Sequence, residues 1–377
     1  MVSFARHSKS KLANWWWTVD KVAFVLTLLL IFIGAMLVLS ASPSAAHRDR
    51  LSDDFAFIKK QSVFVFMGIV LMVGLSMQSL RTIRRIAILG FFAAFLGIGL
   101  TYVCGDATKG AARWIKFAGF SLQPSEFIKP MFIVFTAWLL DARKRISDFP
   151  GMMLAVALYA FTAAAVLGQP DLGMTILISF AFGVQIFLAG IPLWIVGGLL
   201  LFGIVGIISA YFLFAHVHDR IDRFLATENE IGSQIQKSMD AFANGNLLGR
   251  GPGEGVIKMS LPDVHTDFIF SLAGEEYGVW LTSIIVIIFA VIIARSMKLS
   301  MQDKNLFVMY AATGLAASLG GQAVVNMCSS LQLMPAKGMT LPFISYGGSS
   351  MWASCITMGM LLAITRKNAA AEDKDNG

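Results

Sequence analysis

An all-α membrane fold that crosses the bilayer about ten times is predicted by three observations. First, 56% of the 377 residues are apolar and only 14% are charged, where a soluble domain carries roughly 25% charged residues. Second, the apolar residues form long unbroken runs, such as Val22 to Ala41 and Pro192 to Ala215. Runs of about 20 residues match the hydrocarbon thickness, whereas core helices of soluble proteins are shorter and amphipathic. Third, the basic residues gather in short loops between runs. The formal charge of +7 therefore reads as membrane topology and not as affinity for nucleic acid.

Ten apolar segments follow in order, at 22–41, 62–80, 84–104, 124–140, 150–167, 171–189, 191–215, 266–293, 306–330 and 340–364. With the N-terminus inside, the clusters Arg81/Arg84/Arg85 and Arg143/Lys144/Arg145 both fall on the inner side, as the positive-inside tendency requires. An even count returns the C-terminus to the inside. Residues 1–21 form an inner tail whose Trp15, Trp16 and Trp17 suit an interfacial anchor. Residues 22–365 form the membrane domain, and 366–377 a polar inner tail. The basic start is followed by no small-residue cleavage site, so no removable signal peptide is expected. Cys104, Cys328 and Cys355 show neither metal-ligand spacing nor a disulfide framework. No internal repeat of the kind used by transporters is present.

Three loops of unusual content face outward: Gly105 to Gln123, residues 216–265, and Leu331 to Met339. The second has 50 residues, and a structureless connection of that length is uncommon unless functional. The site is therefore expected on the outer side.

Ionisable residues at membrane depth are functional candidates by default, and four segments hold them. Gln123-Pro124-Ser125-Glu126-Phe127-Ile128-Lys129 opens the fourth helix, with Pro124 and Ser125 suited to its start. Glu126 and Lys129 are three apart and pair on one face. Either they merely neutralise each other, or Lys129 helps bind an anionic group. Gln169-Pro170-Asp171 is a tight turn in which Asp171 caps the next helix or serves the site. In His265-Thr266-Asp267, Thr266 or Asp267 suits a helix cap. Asp267 would lie at the outer boundary near Arg250 and Lys258, partly desolvated but close to cations, as a general base requires. Last, Lys337 precedes Leu341-Pro342-Phe343-Ile344-Ser345-Tyr346-Gly347-Gly348-Ser349-Ser350, whose small residues also suit close helix packing.

Other patterns carry no chemistry. The glycine-rich stretch Gly249 to Gly255 follows no strand and lacks Gly-Lys-Ser/Thr, so it is not a nucleotide loop. His216 and His218 lack further ligands for a metal. Ser8 to Lys11 fits the Ser-x-x-Lys acylation motif, but sits in an inner tail without companion motifs.

Taken together, Arg113-Trp114-Ile115, Gln123 to Phe127 with Lys129, Gln169 to Gly173, His265 to Phe270 with Glu275-Glu276, and Leu341 to Ser350 resemble the SEDS family (shape, elongation, division and sporulation proteins). The similarity runs from about residue 20 to 365. Lys337-Gly338 and Thr340 are more like the division branch than the elongation branch. The family's Gly-Tyr-Gln is here Gly232-Ser233-Gln234, its Gly-Gly is Gly245-Asn246, and its Pro-Thr-Lys-Gly is Pro335-Ala336-Lys337-Gly338.

The resemblance implies a multi-pass protein of the bacterial inner membrane, at the division septum, that polymerises lipid II into glycan strands. It also implies work beside a class B penicillin-binding protein and other division-complex membrane proteins. Asp267 matches the family's essential aspartate. In such a reaction a sugar hydroxyl attacks an anomeric carbon and a polyprenyl pyrophosphate leaves. Inverting glycosidases need two carboxylates, but pyrophosphate leaves readily and needs cations more than a proton. One base, Asp267, with Arg113, Lys116, Lys129, Lys258 and Lys337 around the pyrophosphate, is then a sufficient set. Trp114, Gln123, Ser125, Glu126, Gln169, Asp171, Gln234, His265, Thr266, Ser349 and Ser350 complete the expected substrate site. No cofactor is required, although a divalent cation could share the pyrophosphate. Three rival readings stand: a lipid II transporter, with its central charge at the midplane, an elongation-type polymerase of the same family, and a non-catalytic scaffold.

Overall fold

The computed structural model describes residues 10–104, 106–108, 111–117, 120–191, isolated positions between 197 and 222, 234–334 and 338–367. Most of them are helical, as the apolar runs require. In chain order the elements are α1 (Lys11–Thr18), α2 (Lys21–Arg48), α3 (Ala56–Ser76), α4 (Leu80–Cys104), β1 (Asp106–Thr108), β2 (Ala111–Phe117), β3 (Phe120–Leu122), α5 (Pro124–Arg145), α6 (Gly151–Gly168), α7 (Leu172–Leu188), α8 (Gln234–Gly245), a 3₁₀ turn (Ile257–Met259), α9 (Ile269–Gln302), α10 (Leu306–Ser330) and α11 (Gly348–Ile364). Six of the helices are long and apolar enough to cross a membrane. The expected segment 191–215 lies almost wholly outside the described residues.

The two central helices are α10 and α11. Neither contains Asp, Glu, Lys or Arg, and both are buried on nearly all sides. A helix apolar all round belongs in the interior. Around them, α10 packs on α5, α7 and α9, and α11 packs on α3, while α2 bridges α3 and α9. Phe132, Phe289, Phe307, Tyr310 and Phe343 are fully buried between these layers. Near the start of the chain α1 docks through Trp15, whose indole Nε1 donates to Ser76 Oγ at 2.8 Å. Trp16 and Trp17 stay exposed beneath the Lys21 amine, 5.1 and 4.4 Å from their ring centres.

Four features depart from the expectation. Residues 106–122 form an antiparallel sheet in the order β1-β2-β3, with Asp106 opposite Trp114 and Lys116 opposite Ser121. The helix expected from 340 starts only at Gly348. Pro342 disfavours helix at Leu341, and Phe343 (φ 66°) and Gly347 (φ 159°) hold turn backbone. This segment lies on α2 at Gly34, where a Cβ would stand 2.6 Å from Ile344 Cα. Third, the helix expected from 266 starts at Ile269, and its N-cap Phe268 makes no side-chain capping bond. Neither Thr266 nor Asp267 caps it.

Fourth, the described part of the long outer loop is not structureless. It inserts into a break in α9. Gly278 (φ 71°, ψ −166°) interrupts that helix, which leaves backbone groups without helical partners. In hydrocarbon surroundings such groups must be satisfied internally. Val279 N and Trp280 N donate to the carbonyls of Asn246 and Leu247, and Arg250 N and Gly251 N donate to those of Glu275 and Glu276. The loop backbone therefore lies directly on the helix backbone. A Cβ at Gly245 would come within 1.9 Å of Gly274 O, and at Gly249 within 2.2 Å of Glu276 O.

This contact predicts a contrast between two glycines. Gly245→Ala should lower thermal stability in detergent by about 1–3 kcal/mol or more, the usual cost of overpacking, because the atom it meets is backbone. Gly183→Ala, with nothing within 4 Å, should leave the melting temperature unchanged. Equal melting temperatures for the two variants would contradict the described loop packing.

Candidate active site

Asp267 sits in a turn closed by Asp263 (φ 52°), whose carbonyl accepts from the backbone N–H of Thr266, Asp267 and Phe268. Three successive carbonyls of this turn are held by two other parts of the chain, the 345–346 segment and α10. Tyr346 N donates to His265 O at 2.8 Å, Ser345 Oγ to Thr266 O at 2.6 Å, and Asn326 Nδ2 to Asp267 O at 2.8 Å. The side chain of Asp267 is half-buried. Its Oδ2 lies 3.4 Å from where a Cβ on Gly338 (φ 59°) would stand. The carboxylate therefore faces the 338–340 strand, one residue from Lys337, which lies outside the described residues.

His265 and Thr266 support this turn. The imidazole packs between Phe57 and Tyr346, with ring centres 4.5 and 5.3 Å away. Burial pushes its pKa below the ordinary value, outweighing the carboxylates of Asp263 and Asp49, which act the other way. The ring is thus held neutral at physiological pH. Thr266 Oγ1 turns back to Asp263 O at 3.1 Å.

The second group lies on α5, α10 and α11. Lys129 Nζ donates to Glu126 Oε2 at 2.7 Å and to Gln322 Oε1 at 2.5 Å, and both members of the ion pair are buried. Gln322 Nε2 then donates to Thr340 O at 3.0 Å, and the Thr340 hydroxyl meets that of Ser350. Nearby, Ser349 Oγ accepts from Gln123 N at 2.9 Å and donates to Ser121 O at 3.2 Å, and Gln123 Nε2 donates to Ser125 Oγ at 3.1 Å. Beside Lys129 is a polar cavity of about 10 Å³, lined also by Ser318, Gln322, Ser354 and Thr357. That admits about one water and no phosphate.

Gln322 and Asn326 join the two groups. They are four residues apart on α10 and so share a face. Each reaches the same extended strand, Gln322 at Thr340 O and Asn326 at Met339 O (2.6 Å). Sequence reasoning passed over both amides. The signal was present: two uncharged amides at i, i+4 in an apolar run without a single charge.

A third group lies at the outer end of α6 and α7. Arg113, on β2, donates from Nε to Gln169 O at 2.9 Å and from Nη2 to Pro170 O, and its Nη1 lies 3.5 Å from Asp171 Oδ2. Asp171 also caps α7 through Met174 N at 3.1 Å, so the capping role expected of it occurs, beside an ion pair with Arg113. Gln169 Nε2 donates to Thr101 Oγ1 at 2.5 Å, while its Oε1 is buried without a partner. Arg113 thus latches the sheet to the α6–α7 turn. Trp114 and Lys116 follow on the same strand.

Two expected ligands stand elsewhere. Lys258 is buried and donates to Glu276 Oε1 (2.7 Å), Gly253 O (2.6 Å) and Ser40 Oγ (3.0 Å). An ammonium has three N–H donors, so this one is fully committed to the loop and does not serve a pyrophosphate. The neighbouring Glu275 carboxylate accepts from Asn244 Nδ2 and from the backbone N–H of Val256, Ile257 and Lys258. Gln234 is exposed at the start of α8, and among the described residues nothing ties it to Asp267. Among the described residues no three His, Cys, Asp or Glu side chains converge as a metal site.

Comparison with known proteins places the chain in a family. The FtsW/RodA/SpoVE model, described as cell cycle protein, matches residues 20–370. A probable peptidoglycan glycosyltransferase FtsW of Caulobacter vibrioides is 43% identical over 370 residues, covering 98% of this chain and 95% of its own. Its counterpart in Geobacter sulfurreducens is 34% identical over 92% and 95%. Among solved structures, a chain of a peptidoglycan synthase complex that coordinates polymerization and crosslinking superposes with a TM-score of 0.77. It is 26% identical and covers 92% of this chain and 97% of its own. The rod shape determining protein RodA of Thermus thermophilus superposes at 0.67, with 25% identity over 93% and 97%.

The buried ion pair yields a stability prediction. Lys129→Met alone leaves a buried carboxylate without its cation and should cost about 3–5 kcal/mol. Adding Glu126→Gln should restore most of that loss, read as the melting temperature in detergent. A double variant no more stable than Lys129→Met would rule out the pair as the reason.

Proposed function

Because the chain belongs to the FtsW/RodA/SpoVE family of cell cycle proteins, we propose that it is a peptidoglycan glycosyltransferase that polymerises lipid II into glycan strands during division. It works in the inner membrane at the septum, with a class B penicillin-binding protein that crosslinks the product. In this reading the chain crosses the membrane about ten times with both ends inside, so that Asp267 lies on the outer side, where lipid-linked donor and growing chain meet.

The observation that carries the mechanism is the pinning of three consecutive carbonyls at 265–267, which holds one carboxylate in a fixed place. Asp267 accepts the proton of the acceptor sugar hydroxyl. The hydroxyl oxygen forms a bond to the anomeric carbon of the donor as the bond from that carbon to pyrophosphate breaks. The electron pair leaves with the polyprenyl pyrophosphate, which is a good leaving group and requires no acid. What it requires is positive charge placed in advance. Lys337 next to the 338–340 strand, Lys116 on β2 and the remaining N–H groups of Arg113 supply it. Lys129 acts from its buried pair, as a fixed charge behind the strand and not as a phosphate ligand.

General base catalysis is worth roughly 10²–10⁴-fold. Asp267→Ala and Asp267→Asn should therefore lose at least about that much lipid II polymerisation, measured on purified protein with its partner, while keeping the wild-type melting temperature. Folded variants that polymerise at the wild-type rate would refute the assignment, and flipping of lipid II in liposomes without polymerisation would favour a transporter.

A further inference from the structure

Among the described residues that touch the Asp267 turn, one side chain makes two bonds that both bear on the carboxylate's position. Asn326 is 1% exposed. Its Nδ2 donates to Asp267 O at 2.8 Å and to Met339 O at 2.6 Å. The first bond fixes the residue that bears the carboxylate. The second fixes the strand that the carboxylate faces, one residue after Gly338. An amide NH₂ has two N–H donors, and both are used here on backbone carbonyls. Since neither carbonyl can donate, the amide has only one orientation, with Oδ1 turned away. That Oδ1 is buried and has no hydrogen-bond partner among the described residues.

A buried acceptor left over in an apolar helix is costly. Leucine or alanine would avoid that cost but would take the donor away from the carbonyls of Asp267 and Met339. Other groups hold the neighbouring residues: Tyr346 N and Ser345 Oγ secure residues 265 and 266, and Gln322 secures Thr340. What Asn326 adds is a direct tie between Asp267 and the 338–340 strand, with no intervening residue.

We infer that Asn326 is the positioning residue for Asp267, setting the distance between the carboxylate and the strand opposite it, so that the hydroxyl to be deprotonated is held between them. This rests on the reading of Asp267 as general base. Asn326 itself need not touch substrate.

The test compares lipid II polymerisation by wild type, Asn326→Asp, Asn326→Leu, Asp267→Ala and the double variant Asn326→Leu with Asp267→Ala. Melting temperature and lipid II affinity are measured on each. Asn326→Asp keeps the shape but cannot make both bonds at neutral pH. A misplacement on the order of 1 Å can cost about 10²-fold. We expect kcat to fall by about that factor in both Asn326 single variants, with KM and lipid II affinity within about twofold of wild type. We also expect Asn326→Leu to cause no further loss once Asp267 is already Ala, because there is then no base to position.

Normal kcat in a folded Asn326→Leu would overturn the inference. So would a raised KM at unchanged kcat, which would make Asn326 a substrate contact, or a further loss in the Asp267→Ala background. If Asn326→Leu fails to fold, Asn326→Asp decides by the same criteria. Activity in Asp267→Ala itself would instead sink the general-base reading, so the two failures are told apart.

Discussion

The structure depends on how two amides in an uncharged helix grip one extended strand. In α10, Gln322 holds Thr340 O and Asn326 holds Met339 O. Each amide has a second commitment: Gln322 Oε1 accepts from the Lys129 ammonium, and Asn326 Nδ2 donates to the Asp267 carbonyl. One face of one helix therefore sets a buried cation, a strand and a carboxylate in a common frame. A lone charge on α10 would have been costly at this depth. Neutral amides give directional bonds without that penalty, and i, i+4 spacing places them about 5–6 Å apart along the helix.

The outer loop is held by the same economy. Gly278 breaks α9, and the loop backbone fills the break. Glu275 and Glu276 follow Asp267 in the chain and are buried, yet neither is available for chemistry. One accepts three backbone N–H groups, and the other pairs with Lys258. Of the carboxylates on this stretch, Asp267 alone faces the strand that precedes α11. The loop thus rests on the same helix whose first turn follows the proposed base, and Arg113 and Ser349 latch the sheet on the opposite side.

Much of this was legible in the chain. Apart from α1 and α8, the described helices fall where the apolar runs lie, α5 begins at Pro124, and Glu126 pairs with Lys129 as their spacing requires. Asp171 is both cap and ion-pair partner. What escaped reading has physical reasons. Period and length cannot show a three-stranded sheet whose strands have three to seven residues within what reads as a loop. Hydropathy extended the last helix back to 340, because Leu341, Phe343 and Ile344 are apolar, although they pack as turn backbone. Lys258 looked like an anion ligand because charge alone does not reveal a partner 18 residues away. Gln322 and Asn326 were overlooked because neutral residues draw no attention in a membrane segment, yet tertiary geometry gives them the central place.

The claim that one face of α10 holds base and cation in a shared frame is tested most directly by a double-mutant cycle. Polymerisation rates of Gln322→Ala, Asn326→Ala and the double variant give the coupling between them. Both residues hold the same strand, so the account predicts strong non-additivity, with a coupling energy of about 1–3 kcal/mol. Additive losses, within about 0.5 kcal/mol, would mean that the two amides act independently and that no shared frame exists.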